Sequence, residues 1–89
     1  MQFSRWDAQG NVYLLTEQEL NADAVRAGVA DADGILQVTA RGHDWVELVI
    51  WNPDGSTAEL SGNGTRIAAR WLAAATGATV VRIRVGPRE

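Results

Sequence analysis

The sequence predicts an α+β fold in which a mainly antiparallel, curled sheet wraps around one central helix. Three observations carry that expectation. Only Thr65 to Thr76 has a long helical pattern, with Ile67, Ala68, Trp71, Leu72 and Ala75 on one wide apolar face. Apolar residues alternate at period two in Asp44–Trp51 and again in Val80–Val85. Turn signals at Asp7–Asn11, Arg41-Gly42-His43 and Asn52-Pro53-Asp54-Gly55 separate the extended segments at hairpin distances. The predicted element order is β-β-α-β-β-β-α-β, and the 89 residues are expected to form a single domain spanning 1–89.

Gln2 to Trp6 and Val12 to Leu15 read as two strand pieces around a loop that presents Gly10 and Asn11. From the residues alone, Asn11 reads as a left-handed turn residue, a conformation that Asn tolerates. A short helix is expected within Glu17–Ala27, ending near Gly28. Thr16 with Glu19 offers one capping box, and Asn21 before Ala24-Val25 offers a second start. Asp31-Ala32-Asp33-Gly34 is a turn rather than a calcium loop, since the position where a calcium loop closes with glutamate holds Gly42. Ile35–Ala40 and Asp44–Trp51 should pair as a hairpin. In the second of these strands Val46, Leu48 and Ile50 face the core, while Trp45, Glu47, Val49 and Trp51 face the other way. The two tryptophans imply that this second face is covered in part. Asn52-Pro53-Asp54-Gly55 fits a type I turn, Ser56–Leu60 should pair back, and Gly77 should cap the helix. Val80–Val85 is the last strand, and Gly86 to Glu89 adds no closing element.

Composition excludes several function classes. The basic residues are eight scattered arginines against a net charge of −3, which leaves no electrostatic footprint for nucleic acid. There is no lysine to form a pyridoxal phosphate Schiff base. There is no cysteine for disulfides, thiolate metal sites or thiol catalysis. His43 is the lone histidine, lies in a turn and has no visible partners for a metal site, so exposure is expected and no metal is assigned. No apolar run approaches the roughly 18 residues of a membrane span, and the N-terminus lacks a signal-peptide pattern. A soluble cytoplasmic protein is the expectation.

The chemistry-bearing stretch is Glu59-Leu60-Ser61-Gly62-Asn63-Gly64-Thr65-Arg66, where a hairpin ends and the long helix begins. Backbone N–H groups in a first helical turn lack internal acceptors, and the helix dipole favours an anion there. Two phosphate signatures fail. A P-loop needs Gly-Lys-Ser/Thr, and a dinucleotide fingerprint needs a third glycine where Ile67 stands. Ser61 lacks the leading glycine of a nucleophile elbow and a suitable base, so capping is its simpler role.

Asn52-Pro53-Asp54-Gly55-Ser56 followed by the Ser61-Gly62-Asn63-Gly64-Thr65-Arg66 loop resembles the diaminopimelate epimerase family. That family carries Asn-x-Asp-Gly-Ser, a short strand, then Cys-Gly-Asn-Gly-x-Arg and a helix. Phe3, Arg5 and Gly10-Asn11-Val12-Tyr13 resemble its Gly-Asn-Asp-Phe region, and Asp33-Gly34-Ile35-Leu36 matches its Asp-Gly/Gln-hydrophobic pair. The resemblance implies an isomerase, a cofactor-independent amino-acid epimerase of lysine and cell-wall precursor synthesis. Such an enzyme is built of two pseudo-symmetric halves, each curling a sheet around a central helix. One catalytic cysteine comes from each half, and the two exchange the α-proton across the substrate. By the same resemblance, Gly62 and Asn63 hold the substrate α-carboxylate, Asn11 and Asn52 contact the bound amino acid, and Ser61 occupies the catalytic cysteine position.

The physical chemistry agrees with those roles. Preorganised N–H donors stabilise the charge that builds when an α-proton leaves, and a thiol at a helix N-terminus has a lowered pKa. Two departures matter. A hydroxyl is a far weaker acid than a thiol, so Ser61 is a poor base. The sequence also matches only the first half of the family pattern, so catalysis by the chain alone is not expected. The expected partners are an amino-acid substrate and either a complementary C-terminal half or a second copy. A non-catalytic folding module or homodimer, with Trp45 and Trp51 or the cleft face as interface, is the alternative. A nucleotide or phosphate binder is a weaker third.

Overall fold

A computed structural model describes residues 3–59 and 61–86. Its elements are β1 (Ser4–Ala8), β2 (Asn11–Thr16), α1 (Ala22–Gly28), β3 (Gly34–Arg41), β4 (Trp45–Trp51), β5 (Thr57–Ala58), α2 (Gly62–Thr76) and β6 (Arg82–Val85). The expected order is the observed one. The strands form one curled, unclosed sheet in the order β1-β2-β3-β4-β5, with β6 also pairing β4.

Three pairings are antiparallel, β1–β2, β3–β4 and β4–β5, so the sheet is mainly antiparallel as expected. The other two, β2–β3 and β4–β6, are parallel. A parallel pair needs a crossover, and each helix supplies one: α1 joins β2 to β3, and α2 lies between β4 and β6. The two helices cover opposite faces. Leu15, Leu36, Val38, Val46, Leu48 and Ile50 pack with Ile67, Ala68 and Leu72 of α2. Leu14 and Ile35 face the other way and pack with Val25 and Val29 of α1. This is why Gly34 to Val38 of β3 is buried without a break, on both faces of the strand.

The helical stripe is correct for Ile67, Ala68 and Leu72, with Trp71 half-buried, but Ala75 is exposed. The last turn of α2 is tied to the β3–β4 turn by Thr76 Oγ1 donating to the His43 carbonyl oxygen at 2.7 Å. His43 itself is exposed, as expected. The second face of β4 is partly covered. Trp51 joins the α1 cluster and donates its indole N–H to the buried Gln37 Oε1 at 2.8 Å, while Trp45 packs on Gly42.

Several boundaries differ from expectation, and one expected alternative is decided. β1 starts at Ser4 and continues to Ala8, so Asn11 is the first residue of β2, paired with Ala8, and not a left-handed turn residue. The left-handed positions are Gln9 (φ 54°) and Gly10 (φ 90°), which make a two-residue turn matching the twist of the strands. Asn21, not Thr16, caps α1, since Thr16 is buried at the end of β2. From Ser56–Leu60 only Thr57–Ala58 pairs with β4, and Leu60 lies outside the described residues, as do Gln2 and Pro87 to Glu89. In the last segment Val80 is 72% exposed and the strand begins at Arg82. Gly77 caps α2 in the left-handed conformation, as expected.

Candidate functional site

The site is assembled at one end of the sheet, on the face covered by α2. Period-two geometry puts Asn11, Tyr13 and Leu15 of β2 on that face, because Tyr13 and Leu15 pack with the α2 core. Tyr13 pairs with Gly34 of β3, and Ile35 pairs with Trp51 of β4. One step beyond that last pair, Asn52 stands level with Gly34. Tyr13, Gly34 and Asn52 therefore form one cross-strand row at the sheet end that receives the start of α2.

Gly34 keeps this row open. A Cβ there would lie 2.7 Å from the Trp51 carbonyl oxygen and 2.9 Å from the Tyr13 ring. The ring occupies the place of the missing side chain, and its hydroxyl extends to 3.0 Å from Ser61 Oγ.

α2 begins three residues earlier than expected, at Gly62, so the small residues belong to the first helical turn rather than to a preceding loop. Ser61 is the N-cap, its Oγ accepting the Gly64 N–H at 3.0 Å, while its carbonyl oxygen accepts the Thr65 N–H at 2.9 Å. Gly64 is buried, and a Cβ there would meet Leu36 and Ser61 Oγ, each at 3.1 Å. The Gly62 and Asn63 N–H groups have no acceptor among the described residues, and the first turn holds no acidic side chain. Space around Gly62 is open.

Asn63 is fixed from both sides. Its Nδ2 donates to Asn11 Oδ1 at 2.5 Å, and its Oδ1 accepts from Arg66 at 2.9 Å. The structure thus brings Asn11, Ser61, Gly62 and Asn63 together across a separation of about fifty residues. Asn52 belongs to the same end of the sheet, but its amide is engaged locally: Nδ2 donates to Ser56 Oγ at 3.0 Å. In the same turn the Ser56 hydroxyl and backbone N–H both donate to Asp54 and hold its carboxyl below the usual range. Among the described residues no group of His, Asp and Glu side chains is arranged to hold a metal.

Sequence reasoning did not single out Tyr13 or Arg66. Tyr13 was signalled by its place two residues from Asn11 on one strand face, and Arg66 by its spacing of three from Asn63 on the helix. The helix end thus presents the Gly62 and Asn63 N–H groups, which have no acceptor among the described residues, beside a neutral amide pair and one guanidinium.

The chain is 36% identical over 89 residues to the diaminopimelate epimerase of Prochlorococcus marinus (strain MIT 9313), covering 82% of this chain and 29% of that protein. It is 39% identical over 83 residues to diaminopimelate epimerase 2 of Nostoc sp. (strain PCC 7120 / SAG 25.82 / UTEX 2576), over 81% of this chain and 29% of the relative. The chain is homologous to part of diaminopimelate epimerase. The epimerase of Rhizobium rhizogenes (strain K84 / ATCC BAA-868) agrees, at 33% over 93 residues, with 90% of this chain and 30% of the relative covered. The chain therefore spans about three-tenths of the length of these curated relatives. No protein-family model matches it. Homology to the epimerases and a curled sheet over α2 agree with the half-fold expected from the motifs. No helix among the described residues is long and apolar enough to cross a membrane.

Proposed function

We propose that the start of α2 binds the α-carboxylate of an amino acid, and that the chain supplies one side of a two-sided epimerase site of lysine and cell-wall precursor synthesis in the cytoplasm. The observation that carries this is the pair of N–H groups of Gly62 and Asn63, without an acceptor among the described residues, beside Asn11 and Ser61, in a first turn without acidic residues. Hydrogen bonds from a helix N-terminus to a carboxylate are charge-assisted and stronger than neutral ones. Asn11 and Asn52 are the polar side chains on the same face that contact the rest of the ligand. No cofactor enters this scheme.

Epimerisation needs one group to remove the α-proton and another to return one on the opposite face. Ser61 stands where the base belongs, but its hydroxyl does not ionise near neutral pH. The second group comes from a complementary half, on another segment or another chain. The chain alone therefore binds without turning over.

Titration of the ¹⁵N-labelled chain with diaminopimelate and other amino acids tests the proposal. The amides of Gly62, Asn63 and Gly64 should shift in a saturable way, and unmoved amides overturn it. Exchange of the substrate α-proton in D₂O should be undetectable with the chain alone. It should appear only when Ser61→Cys is combined with a supplied second half.

A further inference from the structure

Ser61 and Tyr13 carry two hydroxyl protons between them, and their oxygens are 3.0 Å apart. One proton lies between the oxygens. A Ser oxygen has two acceptor positions, and the Gly64 N–H fills one at 3.0 Å. When the phenol donates to Ser61, the second position is filled as well. The Ser61 oxygen is then saturated as an acceptor, and its own proton is the group left to donate outward.

We infer that Tyr13 is a positioning residue that makes Ser61 a donor to the bound carboxylate rather than a base. The inference rests on the carboxylate site proposed above. The phenol is not placed there by chance rotation: its ring lies against the bare backbone of Gly34, where a Cβ would be 2.9 Å from it. The ring also packs against the α2 core cluster, so the hydroxyl is held by sheet and helix together. Tyr13 and Ser61 stand where the resembled motifs have Phe and Cys, and in this chain these two departures are in contact. Ser61 would thus add a third donor next to the Gly62 and Asn63 N–H groups, giving a neutral clamp that binds an amino-acid carboxylate and leaves its α-proton in place.

The chain has no cysteine, so Ser61→Cys introduces a single thiol whose pKa can be read from the pH dependence of its alkylation rate. The Tyr13 O–H and Gly64 N–H both donate to the sulfur, and should hold its pKa below the ordinary value of about 8.5. Adding Tyr13→Phe should raise that pKa by about one unit, the size of one hydrogen bond to a charged group. A contact that only supports the fold would change the melting temperature and leave the thiol pKa where it was. In the Ser61 background, Tyr13→Phe should weaken amino-acid binding about five- to tenfold, read from the Gly62 and Asn63 amides.

A thiol pKa unchanged by Tyr13→Phe overturns the inference whatever the ligand titration shows. Equal affinities for the Tyr13→Phe and unsubstituted chains also overturn it. A thiol that shifts while no amino acid moves the amides overturns the proposed function and the donor role, and leaves the Tyr13–Ser61 bond standing. The Tyr13→Phe ring keeps its packing, and the affinity arm needs no substitution at Ser61, so a poorly folding Ser61→Cys chain still leaves a decisive measurement.

Discussion

The two helices start alike and end up with opposite electrical character. Asn21 caps α1 by accepting the Ala24 N–H at 2.8 Å, and Ser61 caps α2 by accepting the Gly64 N–H at 3.0 Å. Both caps satisfy the same orphan donor of the first turn. In α1 the next position but one is Asp23, whose carboxylate offsets the helix dipole and pairs with Arg26. Arg26 also reaches the Asp54 carbonyl oxygen at 3.3 Å, tying α1 to the β4–β5 turn. In α2 the corresponding residues are Gly62 and Asn63, with no acid in the turn. A short helix with its own counter-charge serves packing, and a long helix without one is left able to take an external anion.

Substitutions can break or sharpen that contrast. The largest effect is expected from Gly34→Ala, because the new methyl collides with the Trp51 carbonyl oxygen at 2.7 Å and with the Tyr13 ring. Overpacking of this kind costs about 2 kcal/mol in chemical denaturation. It should also displace Tyr13 and loosen amino-acid binding at a helix it does not touch.

The two caps come next. Asn21→Ala and Ser61→Ala should each cost about 1 kcal/mol of stability. Only Ser61→Ala should also weaken amino-acid binding, which NMR titration of the two variants side by side will separate. Gly62→Asp converts α2 to the electrical pattern of α1. With open space at that position, the carboxylate should stabilise the fold by about 0.5 kcal/mol through the dipole. The same substitution should abolish ligand binding, so stability and binding move in opposite directions.

The smallest effect is expected at Asp54. Its carboxyl is held below its ordinary 3.8 first by the Ser56 hydroxyl, then by the Ser56 N–H, with a minor contribution from Arg26. A depressed folded pKa contributes stability above pH 3.8, and that contribution is lost as pH falls through the lowered value. Ser56→Ala should return the carboxyl titration, followed by ¹³C NMR, towards 3.8 and reduce the acid sensitivity of the turn.

The contrast between the helices also explains what was legible in the sequence. Element order and the buried residues of β4 followed from periodicity, which local sequence encodes. The start of α2 was misplaced because Gly62, Asn63 and Gly64 have poor helix propensity. They are helical because Ser61 caps the turn and Gly64 fits against Leu36, a tertiary contact. The parallel pairings were hidden because a crossover brings together strands that carry no mutual turn signal. Asn11, Ser61, Gly62 and Asn63 were brought together by the resemblance to the epimerase motifs, whereas the Tyr13–Ser61 contact depends on Gly34, a residue whose importance lies in the side chain it lacks.

The bonds from Asn11 to Asn63 and from Tyr13 to Ser61 join positions 52 and 48 residues apart. Closing loops of that length costs chain entropy that only the assembled sheet can offset. The proposed ligand site therefore does not exist in any partly folded fragment of this chain. Binding at the proposed site would be thermodynamically linked to folding as a result. An amino acid present at a hundred times its dissociation constant should add about 2.7 kcal/mol to the unfolding free energy, so a plain thermal-shift screen can rank candidate ligands for this chain without any assay of turnover.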